Sequence, residues 1–341
     1  MRFMFTMGRK IRHLQAVWER RGQATDKGGG GWRFGLAIGA LGIIIAASAM
    51  SLPMYVPVAT AATADQAAAA PQFPVQMVDA TGQNVTLKAA PHRIITLAPS
   101  LTEMAYALGL GQELVAVSAY SDYPPEAKSL PVVGDAFSLS YEKLLAYQPD
   151  LVLADETLQP QAAARLRQLG VTVFVVAPKT LPDVLSTLRQ LGQLTGRAAT
   201  ADRLVASLQA RIRAVEEKVA RLPATDRPRV YVEIWNNPLM TAGPGSFLDE
   251  LIRLAGGVNV AAGTGQAWPQ ISAELILAAN PDVILLTIKD KEEVLKRPGW
   301  SSLNAVRRGR VYEVVPDTYV RTGPRLVDAL ESLFALLHPE Q

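Results

Sequence analysis

Hydrophobic and polar positions along the chain follow two periods that alternate from Val75 to the C terminus. "VQMVDATGQNVTL", Val75–Leu87, alternates at period two on both sides of Asp79-Ala80-Thr81-Gly82, which predicts a hairpin. An apolar run, Ile94–Leu97, lies between Pro91 and Pro99 and predicts a buried strand. The next segment, "SLTEMAYALGLG", predicts a helix with Ser100 as N-cap and Glu103 completing a capping box. Gly109 and Gly111 close it. "ELVAVSAY" predicts another strand, "SYEKLLAYQPDLVLA" a helix, a Pro-Asp stop and a strand, and "QAAARLRQLG" with "VTVFVVAP" one more of each. Alternating strands and helices of this kind predict a parallel sheet covered on both faces.

The same pattern then restarts. "PRVYVEI" echoes "PHRIITL", and the window Leu139–Ala154 returns as Ile271–Leu286 at a constant offset of 132 residues. The copies share Ser140/Ser272, Glu142/Glu274, Leu145/Leu277, Pro149/Pro281 and Asp150/Asp282. "SFLDELIRLAGG", "RVYEVV" and a helix at about Pro324–Leu337 complete the second set. Between the sets, Leu204, Leu208, Ile212, Val215, Val219 and Leu222 step by three and four, one face of a helix from Thr200 to Leu222. Such a helix is ~35 Å long. The expected fold is α/β: two Rossmann-like parallel-sheet lobes joined by one long helix, with a ligand cleft between them. The expected segments are an N-terminal lobe with its leading hairpin over 74–181, a helical linker over 182–226 and a C-terminal lobe over 227–341.

The first 73 residues differ in character. Residues 1–33 carry eight basic and two acidic side chains, a net +6 in a chain whose total is +3, so the rest is acidic by −3. Residues 34–58 have no charge and include the apolar core "FGLAIGALGIIIAASAM". That pattern predicts a cytoplasmic basic region followed by a signal peptide or a membrane anchor. Ala62-Thr63-Ala64 suits cleavage, and 59–73 reads as a linker. The lobes beyond it are expected outside the cytoplasmic membrane.

Composition narrows the chemistry. With no cysteine there is no disulfide, thiolate metal site or lipidated cysteine. His13, His92 and His338 share no metal-ligand spacing, and no credible Ser-His-Asp set exists. Beyond the N-terminal region no basic patch carries interleaved aromatics, so nucleic acid is not an expected partner.

Together "RIITLAPSLTEMAYALGLG", "SAYSDYPPEA", the "PDLVLA"/"PDVILL" pair, the linking helix and "WPQISAELI" resemble the cobalamin-binding substrate-binding proteins of ABC importers. More widely, they resemble the helix-linked family that binds cobalamin, haem and ferric siderophores. The resemblance covers about Pro74–His338. It implies a shallow cleft with little closure, no enzymatic activity, no cofactor and a monomer that delivers its ligand to a permease dimer with ATPase subunits. It also implies one surface glutamate per lobe, Glu142 and Glu274, docking into arginine-lined pockets on the permease. The other reading of these two residues is helix-terminal: each stands in a first turn, where the macrodipole favours an acid.

By the same resemblance Tyr120, Trp268, Asp317 and Arg321 match ligand-contacting positions. Phe137 lies in "GDAFSLS", Trp268 in the matching "GQAWPQIS" and Tyr319 in "PDTYVRTGPR", so these aromatics are also expected in the cleft. Interlobe packing for Tyr120 and Trp268, and a surface ion pair for Asp317 and Arg321, stand beside that reading. Where the cobalamin pattern has first-lobe tryptophans, this chain has Ala136 and Asp155. A corrinoid leads, with haem on Tyr120 or a ferric siderophore on Arg321 and Trp268 as alternatives. Two rival classes remain: a phosphate-ligand enzyme using the glycines of "TAGPGSFLDELI", Thr241–Ile252, and a structural surface adhesin.

Overall fold

The computed structural model describes residues 73–340 except 136–137 and 158–159. The expected signal or anchor, and Phe137, lie outside the described residues. No helix among the described residues is long and apolar enough to cross a membrane.

The period-two segment forms the hairpin β1 (Val75–Val78) and β2 (Asn84–Leu87), antiparallel with Val75 opposite Leu87. The first lobe's sheet contains β3 (Ile94–Thr96), β4 (Leu114–Val117), β5 (Leu151–Asp155) and β6 (Val173–Val176), all parallel, in the order β4-β3-β5-β6. These strands are apolar almost throughout because helices cover both faces. The helices are α1 (Pro99–Ala107), α2 (Tyr141–Ala146) and α3 (Pro160–Gln168). Asp79 ties the hairpin to the sheet edge. Its carboxylate accepts from Thr81 N at 2.9 Å, Gln83 N at 3.1 Å and Val175 N at 3.1 Å, and pairs with Arg167.

Two helices come next, α4 (Leu181–Leu194) and α5 (Ala198–Ala220). They cross so closely at Gly192 that a Cβ there would lie 2.4 Å from the Ala201 Cβ. On α5 the buried positions are Ala201, Val205, Leu208, Val215 and Val219, the three-and-four spacing of one face.

The second lobe repeats the plan with β7 (Arg229–Asn236), β8 (Leu239–Thr241), β9 (Val258–Asn259), β10 (Val283–Leu286) and β11 (Val311–Glu313). The order is β11-β10-β7-β8, with β9 also on β7. One departure from the expected parallel pattern is β8, which pairs antiparallel with β7. Its helices are α6 (Phe247–Leu254), α7 (Ala273–Ala279), α8 (Lys291–Lys296), α9 (Asn304–Arg307), α10 (Pro316–Val320) and α11 (Leu326–Leu337).

The repeated Pro-Asp has the same structural role in both lobes. Asp150 accepts from His92 N at 2.7 Å and Arg93 N at 3.0 Å, just before β3. Asp282 accepts from Arg229 N at 3.0 Å, at the start of β7. Each aspartate therefore anchors the neighbouring strand's entry rather than merely stopping a helix.

One apolar core passes through both lobes. It joins Leu101, Leu153 and Phe174 to Leu188, Val205 and Val215 of the linking helices, and on to Val232, Leu285 and Leu330. The outer sheet faces have separate clusters, around Ile95 and Val152 in the first lobe and around Tyr231, Ile284 and Trp300 in the second. A continuous close-packed core resists wide hinging, because opening it would expose apolar surface.

Candidate functional site

Besides the shared core, polar and aromatic contacts among the described residues join the lobes at two junctions beside the carboxyl ends of their strands. The first involves Glu103 on α1. The capping box expected there does not form: Pro99 enters the helix at its first positions, Ala98 is the N-cap, and no side chain caps it. Glu103 instead lies 3 % exposed and accepts three bonds from the second lobe. Arg325 donates from Nε to Oε2 at 2.9 Å and from Nη2 to Oε1 at 2.6 Å, and Arg321 donates from Nη1 to Oε1 at 3.0 Å.

Arg321 has further partners. Nη1 donates to Asp122 at 2.8 Å, Nη2 pairs with Asp317 at 2.9 Å, and Nη2 donates to the Tyr120 carbonyl at 3.1 Å. The Arg325 guanidinium lies 3.9 Å over the Tyr123 ring, a cation–π contact. Three carboxylates thus face two guanidiniums. Burial pushes the Asp317 carboxyl up; Arg321 opposes the shift, while Asp122 adds to it. Tyr120 holds φ at 67° with an exposed ring. A left-handed tyrosine costs about 1–3 kcal/mol and persists where its surroundings fix it. Here the second lobe's Arg321 and Asp122 N, which donates at 3.0 Å, both hold its carbonyl.

The second meeting place is the start of α4. Leu181 N donates to Glu250 of α6 at 2.7 Å. Three residues earlier, on the same helix face, Phe247 packs edge-on against Trp268, with ring centroids 5.3 Å apart. Trp268 is half-buried and packs against the core.

The expected site residues therefore separate into groups. Tyr120, Asp317 and Arg321 come together in the first junction, and Trp268 stands by the second. Tyr319 is corrected. Its ring is 3 % exposed and belongs to the core, because Pro316 starts a helix where a loop was expected and turns position 319 onto α11. Arg321 keeps its place, but its side chain is only 10 % exposed and its donors are committed within the protein. Asp155, at the end of β5, is buried and accepts from Thr157 N at 2.8 Å. Local reading missed Glu103, Asp122, Arg325, Phe247 and Glu250. The one usable signal was the pair of arginines four apart in "RTGPR", which places two cations on one turn.

A groove of about 620 Å³ lies on the α5 side of the Glu103–Arg325 pair, lined in part by Tyr106, Leu208 and Arg211. It contains none of the expected ligand residues. The glycine loop before α6 is closed on itself. Gly243 N donates to Ala267 O, Ser246 N to Gly243 O, and the Ser246 hydroxyl accepts from Asp249 N. A Cβ on Gly243 would come 2.2 Å from Gln266 O, so no space for a phosphate opens there. Among the described residues no group of three or more His, Asp or Glu is placed to hold a metal ion.

Glu142 and Glu274 stand in the first turns of α2 and α7, both exposed. Ser140 caps α2 by accepting from Lys143 N, and Ser272 caps α7 by accepting from Leu275 N, each at 3.3 Å. The caps are therefore made by the serines. A hydrogen bond from Ser272 holds the Glu274 carboxyl below its ordinary value.

A family model for periplasmic binding proteins matches residues 94–318. An uncharacterised ABC transporter substrate-binding lipoprotein of Bacillus subtilis (strain 168) is 37 % identical over 275 residues, 79 % of this chain and 87 % of its own length. Among solved structures, the periplasmic vitamin B12 binding protein of Vibrio cholerae is 32 % identical with a TM-score of 0.65, covering 74 % of this chain and 99 % of that one. The periplasmic haem-binding protein of Roseiflexus sp. RS-1 is also 32 % identical, with a TM-score of 0.66 over 73 % of this chain and 98 % of that one. With two α/β lobes linked through α5, and with these matches, the chain belongs to the periplasmic binding protein family, as the non-enzymatic substrate-binding component of an ABC importer.

Proposed function

We propose that this chain captures a corrinoid between its lobes outside the cytoplasmic membrane and hands it to a dimeric permease. Trp268 and Tyr120 supply ring faces for a broad planar macrocycle, one from each lobe. Asp317, with one oxygen on Arg321 and its side chain 44 % exposed, accepts from amide N–H groups on the macrocycle's arms. Arg321 organises this rim rather than reaching the ligand. The vitamin B12-binding relatives support the corrinoid reading. Haem is the second reading, favoured by the exposed Tyr120 phenol as an axial ligand and by the haem-binding neighbours.

Docking is carried by one observation, the repeated pair Glu142 and Glu274. The rest of the repeat serves folding, since Ser140 and Ser272 cap helices while Asp150 and Asp282 anchor strands. The two glutamates are exposed, and Glu142 forms no ion pair among the described residues. A two-fold permease presents one cationic pocket twice, and carboxylate–guanidinium pairs fix orientation as well as affinity. The N-terminal segment exports the protein or holds it at the outer face of the membrane, and the protein acts as a monomer. The test is the Glu142→Ala/Glu274→Ala double variant with its reconstituted importer. Ligand binding should stay at the wild-type level while stimulation of the importer's ATPase disappears. Loss of ligand binding, or full stimulation, contradicts the docking role.

A further inference from the structure

Glu103 has no part in the capture scheme above, yet it is the most deeply buried carboxylate at the lobe boundary. Its side chain is 2 % exposed, and it belongs to the first lobe while all three of its ionic donors belong to the second. Burying a carboxylate costs several kcal/mol unless hydrogen-bonded cations compensate it. Here the compensation exists only while the lobes stay in register, because Arg321 and Arg325 lie 218 and 222 residues away in sequence. The backbone is shaped to this arrangement. A Cβ on Gly323, between the two arginines, would come 3.3 Å from Glu103 Oε2 and 3.7 Å from Ser100 O, so this loop sits directly on α1.

We infer that Glu103 is a positioning residue for the ligand cleft: by seating Arg321 and Arg325 it fixes the spacing of the lobes and presents Tyr120 at the rim. The chain of contact is short. Glu103 Oε1 orients the Arg321 guanidinium, whose other nitrogen donates to the Tyr120 carbonyl and pairs with Asp317. Removing the charge of Glu103 leaves Asp122 and Asp317 as the nearby carboxylates of the two guanidiniums among the described residues, and both are 44 % exposed. The second lobe offers a matched control. Glu233 is equally buried and takes a bidentate pair from Arg297 at 2.6 and 2.8 Å, but both belong to one lobe.

The chain has no cysteine, so Ala164→Cys on α3 and Arg307→Cys on α9 place one spin label on each lobe of the full-length protein. Pulsed electron resonance without ligand then reads the interlobe distance distribution. Glu103→Gln should broaden and shift it, and Glu233→Gln should leave it as in the parent while lowering thermal stability. Gly323→Val, which crowds the seat without altering any charge, should act like Glu103→Gln. Binding of cyanocobalamin should weaken about tenfold in Glu103→Gln, the order expected for losing a charged hydrogen bond. A Glu103→Gln distribution that superimposes on the parent overturns the inference, whatever happens to melting temperature. Should Glu103→Gln not fold, Gly323→Val decides, and an unchanged distribution in it overturns the inference equally. The affinity arm rests on the cleft being the corrinoid site; the distance arm does not, so the two readings fail separately.

Discussion

Replacing Trp268 by alanine separates a ligand surface from interlobe packing. The ring is half-buried and leans edge-on against Phe247 at 5.3 Å. Full removal of a buried tryptophan costs about 3–5 kcal/mol, so a half-buried one should cost about 2 kcal/mol. In a chain of this size that lowers the melting temperature by about 3 °C. Phe247→Leu loses the same aromatic contact, which is worth about 0.5–1.5 kcal/mol beyond area, and adds a modest loss of burial. The two variants therefore have similar stability. Their ligand affinities should differ. An aromatic anchor at the centre of a binding surface is worth about 2 kcal/mol or more, so Trp268→Ala should weaken binding about thirtyfold. Phe247→Leu should stay within about threefold of wild type. Calorimetric titration on proteins first checked by thermal melting gives both numbers. If Trp268→Ala binds as wild type does, or Phe247→Leu weakens binding equally, the ring is packing and the account of the cleft loses its second-lobe wall.

The scaffold is open to the same kind of test. Burial alone would raise the Asp79 carboxyl, but bonds from Thr81, Gln83 and Val175 outweigh it and hold the group below its ordinary value. Its stabilisation is complete above the unfolded-state value near 3.8 and is lost as pH falls through the lower folded-state value. Asp79→Asn should therefore melt about 6 °C lower at neutral pH, from a broken buried pair of about 3–5 kcal/mol, and the difference should vanish in acid. Gly192→Val places side-chain atoms where Ala201 already stands 2.4 Å from an added Cβ. It should force α4 off α5 and cost more than about 3 kcal/mol, read as a lowered denaturant midpoint; a wild-type midpoint would mean the crossing is not close-packed.

The sequence reveals those parts of this molecule that repeat or have a local period. The step of three and four in Leu204 to Leu222 marks α5, and the alternation around Asp79 marks the hairpin, because both depend on neighbours within one element. The duplicated Ser, Pro and Asp mark the two lobes because each serves the same local joint twice. The first junction was hidden for the opposite reason. Ser100 and Glu103 have the spacing of a capping box, but Pro99 moves the helix start back and Glu103 is claimed by arginines more than two hundred residues away. No local pattern announces a partner at that distance. Tyr319 failed similarly: its fragment reads as a loop, and only packing against α11 turns the ring inward.

The central claim, a macrocycle held between the lobes, is tested most directly by titrating the full-length protein with cyanocobalamin, cobinamide, haem and a ferric siderophore. Binding is followed by the visible spectrum and by calorimetry. The account predicts saturable binding of one corrinoid per chain at micromolar affinity or tighter, about −8 kcal/mol or better. Binding of haem alone would move the ligand while leaving the cleft in place. No binding of any of the four contradicts the account.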